Sequence, residues 1–273
     1  MVERRILYFI FITVILLLLN SPIRATDMGA DTIMHEMKEA LEPGISCTRK
    51  MVFTLKNHDK ITNTWIAREA RKKLADGKMM LFVILEPDEA KGVARLVCER
   101  ENRTSIEWMY FPAMKRVVKM APVMAYDSFQ GTDFTCSDIG FINIRGTHKL
   151  LGEEEHSGNK TYKVETIPEN KGYYSRIITW VSTESFLPLE RDYYDVVGIL
   201  WKTMFFENAV VINNTLTPIR VRMIDVQAET STEYEVSDVC YGANIPDETF
   251  RPGDLPDALN APFCHLPMGG YRK

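Results

Sequence analysis

The sequence predicts a mainly antiparallel β protein of about eleven strands with one helix ahead of them. Three observations carry this expectation. From Ser46 almost to residue 240 the chain is a succession of short runs rich in β-branched and aromatic residues, separated by turn residues. Asp76-Gly77 stands between a run ending at Leu74 and the apolar run from Met79 to Leu85, which is a strong hairpin signal. No long helical stretch separates the runs, so neighbouring hairpins are favoured over the crossovers that a parallel sheet needs.

The elements follow in order. Arg4 and Arg5 precede an apolar run from Ile6 to Leu19, broken by Asn20 and Pro22, which is the layout of a secretory signal. The run is shorter than the roughly 20 residues that cross a bilayer as a helix. Cleavage after Ala25 is expected; an uncleaved membrane anchor is the alternative, because Ile23 and Arg24 make a poor cleavage site. Either way the rest of the chain lies outside the cytoplasm. Ile33, Met37 and Leu41 then recur at helical spacing, and Pro43-Gly44 ends that helix. Met51, Phe53 and Leu55 alternate with Val52, Thr54 and Lys56 in a first strand. Further runs are Val93 to Cys98, Ser105 to Phe111, Arg116 to Met120, Tyr162 to Ile167 and Arg176 to Ser182. Leu187 to Tyr194, Ile199 to Glu207, Thr217 to Gln227 and Thr232 to Val239 complete them. Between Ala125 and Arg145 the strand pattern is interrupted, and Thr132 or Asp133 is placed to cap a short helix carrying Phe134 and Ile139 inward. After Phe250 the chain is rich in Pro and Gly and is expected to be extended. The organisation expected is a signal peptide over residues 1–25, one domain over 26–252, and an extended tail over 253–273.

Composition narrows the function classes. The 273 residues are 45% hydrophobic and 26% charged, the balance of an ordinary globular chain. A formal net charge of −4 offers no basic excess to hold nucleic-acid phosphates. Five cysteines are too few for a disulfide-built scaffold, and an odd count leaves at least one without an intrachain partner. Export permits a bridge from Cys240 to Cys264, but spacing does not fix the connectivity among Cys47, Cys98, Cys136, Cys240 and Cys264.

Catalytic signatures are missing. His35, His58, His148, His156 and His265 show no metal-site spacing, and GxSxG, GxxxxGK[ST] and strand-linked GxGxxG motifs do not occur. No metal or cofactor is therefore expected. Glu153-Glu154-Glu155-His156, beside Ser157-Gly158-Asn159, reads as a solvated turn rather than an acid–base site. Asn102, Asn159 and Asn213 open glycosylation triplets, which are short enough for chance to explain. Arg68, Arg71, Lys72 and Lys73 form a basic cluster, read either as a wet strand face or as a contact for anionic lipid or an acidic partner.

Ordered motifs carry a family resemblance. They are Trp108 to Met120 (WMYFPAMKRVVKM), Asp127 to Asp138 (DSFQGTDFTCSD), Trp180 to Asp195 (WVSTESFLPLERDYYD), Thr217 to Asp225 (TPIRVRMID) and Tyr234 to Pro252 (YEVSDVCYGANIPDETFRP). In this order they resemble the LolA-like outer-membrane lipoprotein-sorting proteins of Gram-negative bacteria; Cys136 and Cys240 depart from the pattern. The resemblance implies a curved antiparallel sheet forming an incomplete, half-open β-barrel around a hydrophobic cavity, with helices across its mouth as a lid. It also implies a non-enzymatic periplasmic carrier. Such a carrier would shield the acyl chains of lipoproteins or another lipid for transfer toward the outer membrane, with an inner-membrane transporter and an outer-membrane acceptor as further partners. The alternatives are an accessory subunit passing a hydrophobic substrate to an inner-membrane exporter and, less favoured, an exported enzyme using Cys136 beside Asp133 and Asp138.

The physical need is large, because a buried methylene is worth about 0.8 kcal/mol and a 16-carbon chain therefore on the order of 10 kcal/mol. Strand alternation nominates Met51, Phe53, Leu55, Leu81, Val83, Trp108, Tyr110, Met204, Phe206, Val221 and Met223 as the lining. Methionine suits an adaptable lining, and equally suits an irregular core.

Overall fold

A computed structural model describes residues 28–100, 103–121, 127–139, 145–169 and 173–263. The signal region, Cys264 and His265 lie outside these residues, and so does the expected Cys240–Cys264 bridge. The first helix, α1 (Ala30–Leu41), forms where the spacing places it and buries Ile33 and Met37.

Thirteen strands follow among the described residues. They are β1 (Cys47–Asn57), β2 (Lys60–Leu74), β3 (Gly77–Glu86), β4 (Ala94–Arg100), β5 (Ile106–Phe111), β6 (Arg116–Lys119), β7 (Gly146–His156), β8 (Asn159–Pro168), β9 (Arg176–Ser182), β10 (Pro188–Tyr194), β11 (Leu200–Ile212), β12 (Thr215–Asp225) and β13 (Thr230–Tyr241). All belong to one antiparallel sheet in the order β6-β5-β4-β3-β2-β1-β13-β12-β11-β10-β9-β8-β7. Two meanders, β1 to β6 and β7 to β13, are thus joined by the β1–β13 pair. The sheet is not closed, because β6 and β7 are its two edges.

Two expectations need correction. The chain has thirteen strands rather than about eleven, chiefly because Glu153 to Glu155 lie within β7 and not in a turn. The turn comes two residues later, where Ser157 and Gly158 take φ of 52° and 76°. β7 is an edge strand whose side chains are mostly exposed, so it lacks the apolar alternation that betrays other strands. The second correction concerns the end of the chain. Pro252–Asn260 is not extended but a 3₁₀ helix, preceded by another at Asp247–Phe250. Proline supplies the fixed φ of such turns, and Leu255, Ala258, Phe250 and Phe263 find an apolar surface to bury against.

The Asp76-Gly77 hairpin forms between β2 and β3 as the sequence indicates. Glycine is required there by a close approach: a Cβ on Gly77 would run into the backbone carbonyl of Glu99 on β4.

Apolar side chains pack on both faces of the sheet. One face, the inner, is covered by α1 and by the segment Asp127–Ile139; the other is covered around β3 to β5 by the C-terminal 3₁₀ helices.

Candidate functional site

Register assembles the inner face. Directly paired residues of an antiparallel sheet share a face, and Phe206, Val221, Tyr234, Phe53 and Trp65 are successive partners across β11, β12, β13, β1 and β2. This aromatic and aliphatic row is buried along its whole length. Met204 and Met223 form a second paired row beside it, and Met51 pairs with Val236 and Ala67.

The nominated residues divide. Met51, Phe53, Met204, Phe206, Val221 and Met223 come together in the inner cluster, with Leu55 half-buried against it. Leu81, Val83, Trp108 and Tyr110 are on the opposite face, packed under Phe250, Leu255 and Phe263. The reason is that β3 is apolar on both faces: Phe82 and Ile84 point inward while Leu81 and Val83 point outward. Alternation cannot choose between two apolar sets. Trp65, Phe82, Tyr193 and Tyr234 also belong to the inner cluster, which local alternation does not reveal because their facing is fixed only by pairing to distant strands.

The chain between β6 and β7 joins opposite edges, and its segment Asp127–Ile139 lies over the inner cluster. Phe129 meets Phe82 edge to face at 5.0 Å and 88°, and Phe134 sits 5.4 Å from Tyr234. The short helix α2 (Cys136–Ile139) is capped by Thr135 rather than by Thr132 or Asp133. The Thr135 N–H donates to Asp138 Oδ2 at 2.8 Å, and the Asp138 N–H donates to Thr135 Oγ1 at 3.1 Å. This reciprocal pair is a capping box, whose T-x-x-D spacing was the available sequence signal. Thr132 instead donates to the Phe129 carbonyl at 2.7 Å. Phe134 and Ile139 point inward as expected, both fully buried.

Asp133 fastens this cover to the sheet. Its carboxylate accepts from the hydroxyls of Thr232, at 2.6 Å, and Thr230, and its carbonyl accepts from Lys202 Nζ at 2.7 Å. Burial raises the pKa of Asp138, opposed by its bonds from Thr135 and the charges of Lys202 and Arg191. Burial also pushes the Cys136 thiol up to about 11, and the charges acting on it come from Arg95, Glu107, Asp127 and Asp138. A thiol so placed stays protonated at neutral pH, the opposite of an activated nucleophile.

Toward one end the inner face becomes ionic. Glu69, fully buried, accepts from Arg49 at 2.7 Å and from Arg71, and Arg71 continues to Glu42 at 2.6 Å. Burial alone would raise the Glu69 pKa; the two guanidinium groups outweigh it and hold the carboxyl below its ordinary value. Arg95 and Glu107 make a separate buried pair at 2.8 Å. Among the described residues no group of three or more His, Cys, Asp or Glu is arranged to hold a metal ion.

A family model described as "Uncharacterized protein" matches residues 76–257. No curated protein matches the chain. Among solved structures, the chain is similar to a domain from Vibrio parahaemolyticus described as an outer membrane lipoprotein-sorting protein. Identity is 24%, TM-score 0.77, and coverage 84% of this chain and 98% of that one. It is also similar to a DUF1329 family protein from Desulfovibrio piger, with 23% identity, TM-score 0.76, and coverage of 82% and 96%. A LolA superfamily protein from Nitrosomonas europaea shares 20% identity at TM-score 0.67, with coverage of 82% and 98%. These likenesses establish a shared fold.

Proposed function

This chain belongs to the protein family matched over residues 76–257 and has the LolA-like fold, and from that premise we propose that it is a lipid- or lipoprotein-binding carrier without covalent chemistry. The observation that carries the proposal is the cover of the inner face. An open sheet presents a continuous apolar surface, and among the described residues what shields it at the centre is the crossing segment Asp127–Ile139 of the same chain, seated by Phe129 and Phe134. Replacing those rings by a hydrocarbon chain exchanges one apolar contact for another, so the net change in exposed area is small. Met51, Met204 and Met223, buried in the same cluster, are flexible enough to re-pack around chains of different shape. The name of the Vibrio parahaemolyticus relative points to lipoprotein sorting, which agrees with acyl chains as cargo.

Export to the periplasm and delivery toward the outer membrane belong to the same proposal, on the strength of the N-terminal signal pattern. No helix among the described residues is long and apolar enough to cross a membrane.

The test is uptake of a fluorescent fatty acid by delipidated protein. Saturable binding with a blue-shifted emission is expected, together with lipid recovered from protein purified without delipidation. Neither uptake nor co-purified lipid would overturn the reading.

A further inference from the structure

The ionic end of the inner face opens to solvent at the seam of the unclosed sheet. There the end of β2, the start of β3 and the end of β4 face the start of β7, leaving a cleft of about 580 Å³. Arg145, just before β7, donates to the backbone carbonyl of Arg103, just after β4. Helix α1 spans the same gap, packing on β7 and reaching Glu99 of β4 through Lys38 at 3.8 Å.

The floor of the cleft is already neutralised. Arg71 and Lys78 share Glu42, and Lys78 also pairs with Glu99 at 3.2 Å. The rim is not. Asp31, Glu39 and Glu169 also line the cleft, yet among the described residues the ion pairs of the cleft run through Lys38, Arg71, Lys72, Lys78 and Arg100 and leave Lys73, Arg103 and Arg145 without a carboxylate partner. Lys73 is moreover the direct cross-strand partner of Lys78. The charge of Lys78 is taken up by Glu42 and Glu99, so the neighbouring Lys73 ammonium is the one left for an incoming anion.

The basic cluster noted in the sequence is thereby divided. Arg68 lies over the Phe263 ring at 5.5 Å, and Lys72 pairs with Asp247 beside the C-terminal 3₁₀ helices. Arg71, Lys72 and Lys73 all line the cleft, Lys72 being held there by Asp247. From Arg71 the inner side chains of β2 run through Glu69 and Ala67 to Trp65, so charged floor and apolar row are separated by roughly 20 Å at about 3.3 Å per residue. Polar seam and apolar face together have the layout of an amphiphile.

We propose that this cleft is an anion site that holds a phosphate-bearing headgroup of a lipid whose acyl chain lies along the inner face. The inference rests on the carrier reading and names its substrate class. Guanidinium and ammonium groups together suit such a ligand, since Arg grips phosphate oxygens bidentately and Lys adds a point charge.

The test compares two ligands with one tail, 1-palmitoyl lysophosphatidic acid and 1-palmitoyl glycerol, on delipidated full-length chain, with inorganic phosphate as a third arm. The phosphate lipid should bind at least about tenfold tighter, and the preference should shrink as salt is raised. The exposed double variant Lys73→Glu, Arg145→Glu should lose the preference, and Lys73→Arg should retain it; an unchanged thermal midpoint shows that the variants fold. Equal affinity for the two lipids would overturn the headgroup site while leaving the carrier. Inorganic phosphate binding as tightly as the phosphate lipid would also overturn it, showing a site for free anion. Binding of neither lipid would overturn the carrier reading itself.

Discussion

Asp133 shows how few atoms hold the cover in place. Its carboxylate is the acceptor for two threonine hydroxyls of β13, and a hydrogen bond to a charged acceptor contributes about 1.5–3 kcal/mol. Asp133→Ala removes both and should therefore lower stability by about 3–6 kcal/mol in urea titration, and a cycle with Thr232→Val should be clearly non-additive. Glu69 is more demanding, because removing its charge leaves Arg49 and Arg71 without their shared partner. Glu69→Gln is expected to cost about 3–5 kcal/mol. The sign of its pH dependence follows from the lowered pKa. Its stabilisation is present above the unfolded-state value and disappears as pH falls through the folded one, so the variant should flatten the acid limb of a stability–pH profile. Asp138 behaves oppositely, since its folded pKa is raised. Its contribution is greatest below the unfolded value and is lost as pH rises through the folded one. Asp138→Asn, which keeps an acceptor for Thr135, should remove that decline, as thermal midpoints measured across the carboxylate range will show.

At the scale of elements, the strands that sequence reveals are those with at least one apolar face sustained for several residues. β1 alternates cleanly, and the Asp76-Gly77 turn announces β2 and β3. β7 does neither. Its sequence, GTHKLLGEEEH, is shaped by its place at the edge, where charge discourages pairing with another chain. Replacing Glu153, Glu154 and Glu155 together by Val should leave the fold intact but promote self-association, visible as heavier species in sedimentation velocity. The C-terminal 3₁₀ helices have the local sequence of an extended tail, because Pro and Gly dominate there. Their order comes from Leu255 and Ala258 settling on the outer face of the sheet, a partner far away in sequence.

For the whole molecule the decisive feature is that β6 and β7 do not meet. Their connection must cross from edge to edge, and in crossing it covers the surface assigned to the acyl chain. Phe134 is the anchor of that crossing, fully buried against Tyr234. Phe134→Ala should lower stability by about 3–5 kcal/mol. If the cover and the acyl chain exchange places, fatty acid should raise the thermal midpoint of this variant more than that of the parent protein. An equal shift in both would separate the site of uptake from the covered face.

The sequence by itself determined the fold class, the N-terminal helix, most strands and, in strands that alternate as β1 does, the hydrophobic face. Those features rest on local periodicity and turn chemistry, which a few neighbouring residues settle. Only the tertiary structure decided which face of β3 to β5 looks inward, which set Leu81, Val83, Trp108 and Tyr110 apart from the inner cluster. It alone brought Arg103 and Arg145 to one seam. Both outcomes depend on the pairing of strands distant in sequence and on an unclosed edge, and neither leaves a trace in the spacing of neighbouring residues.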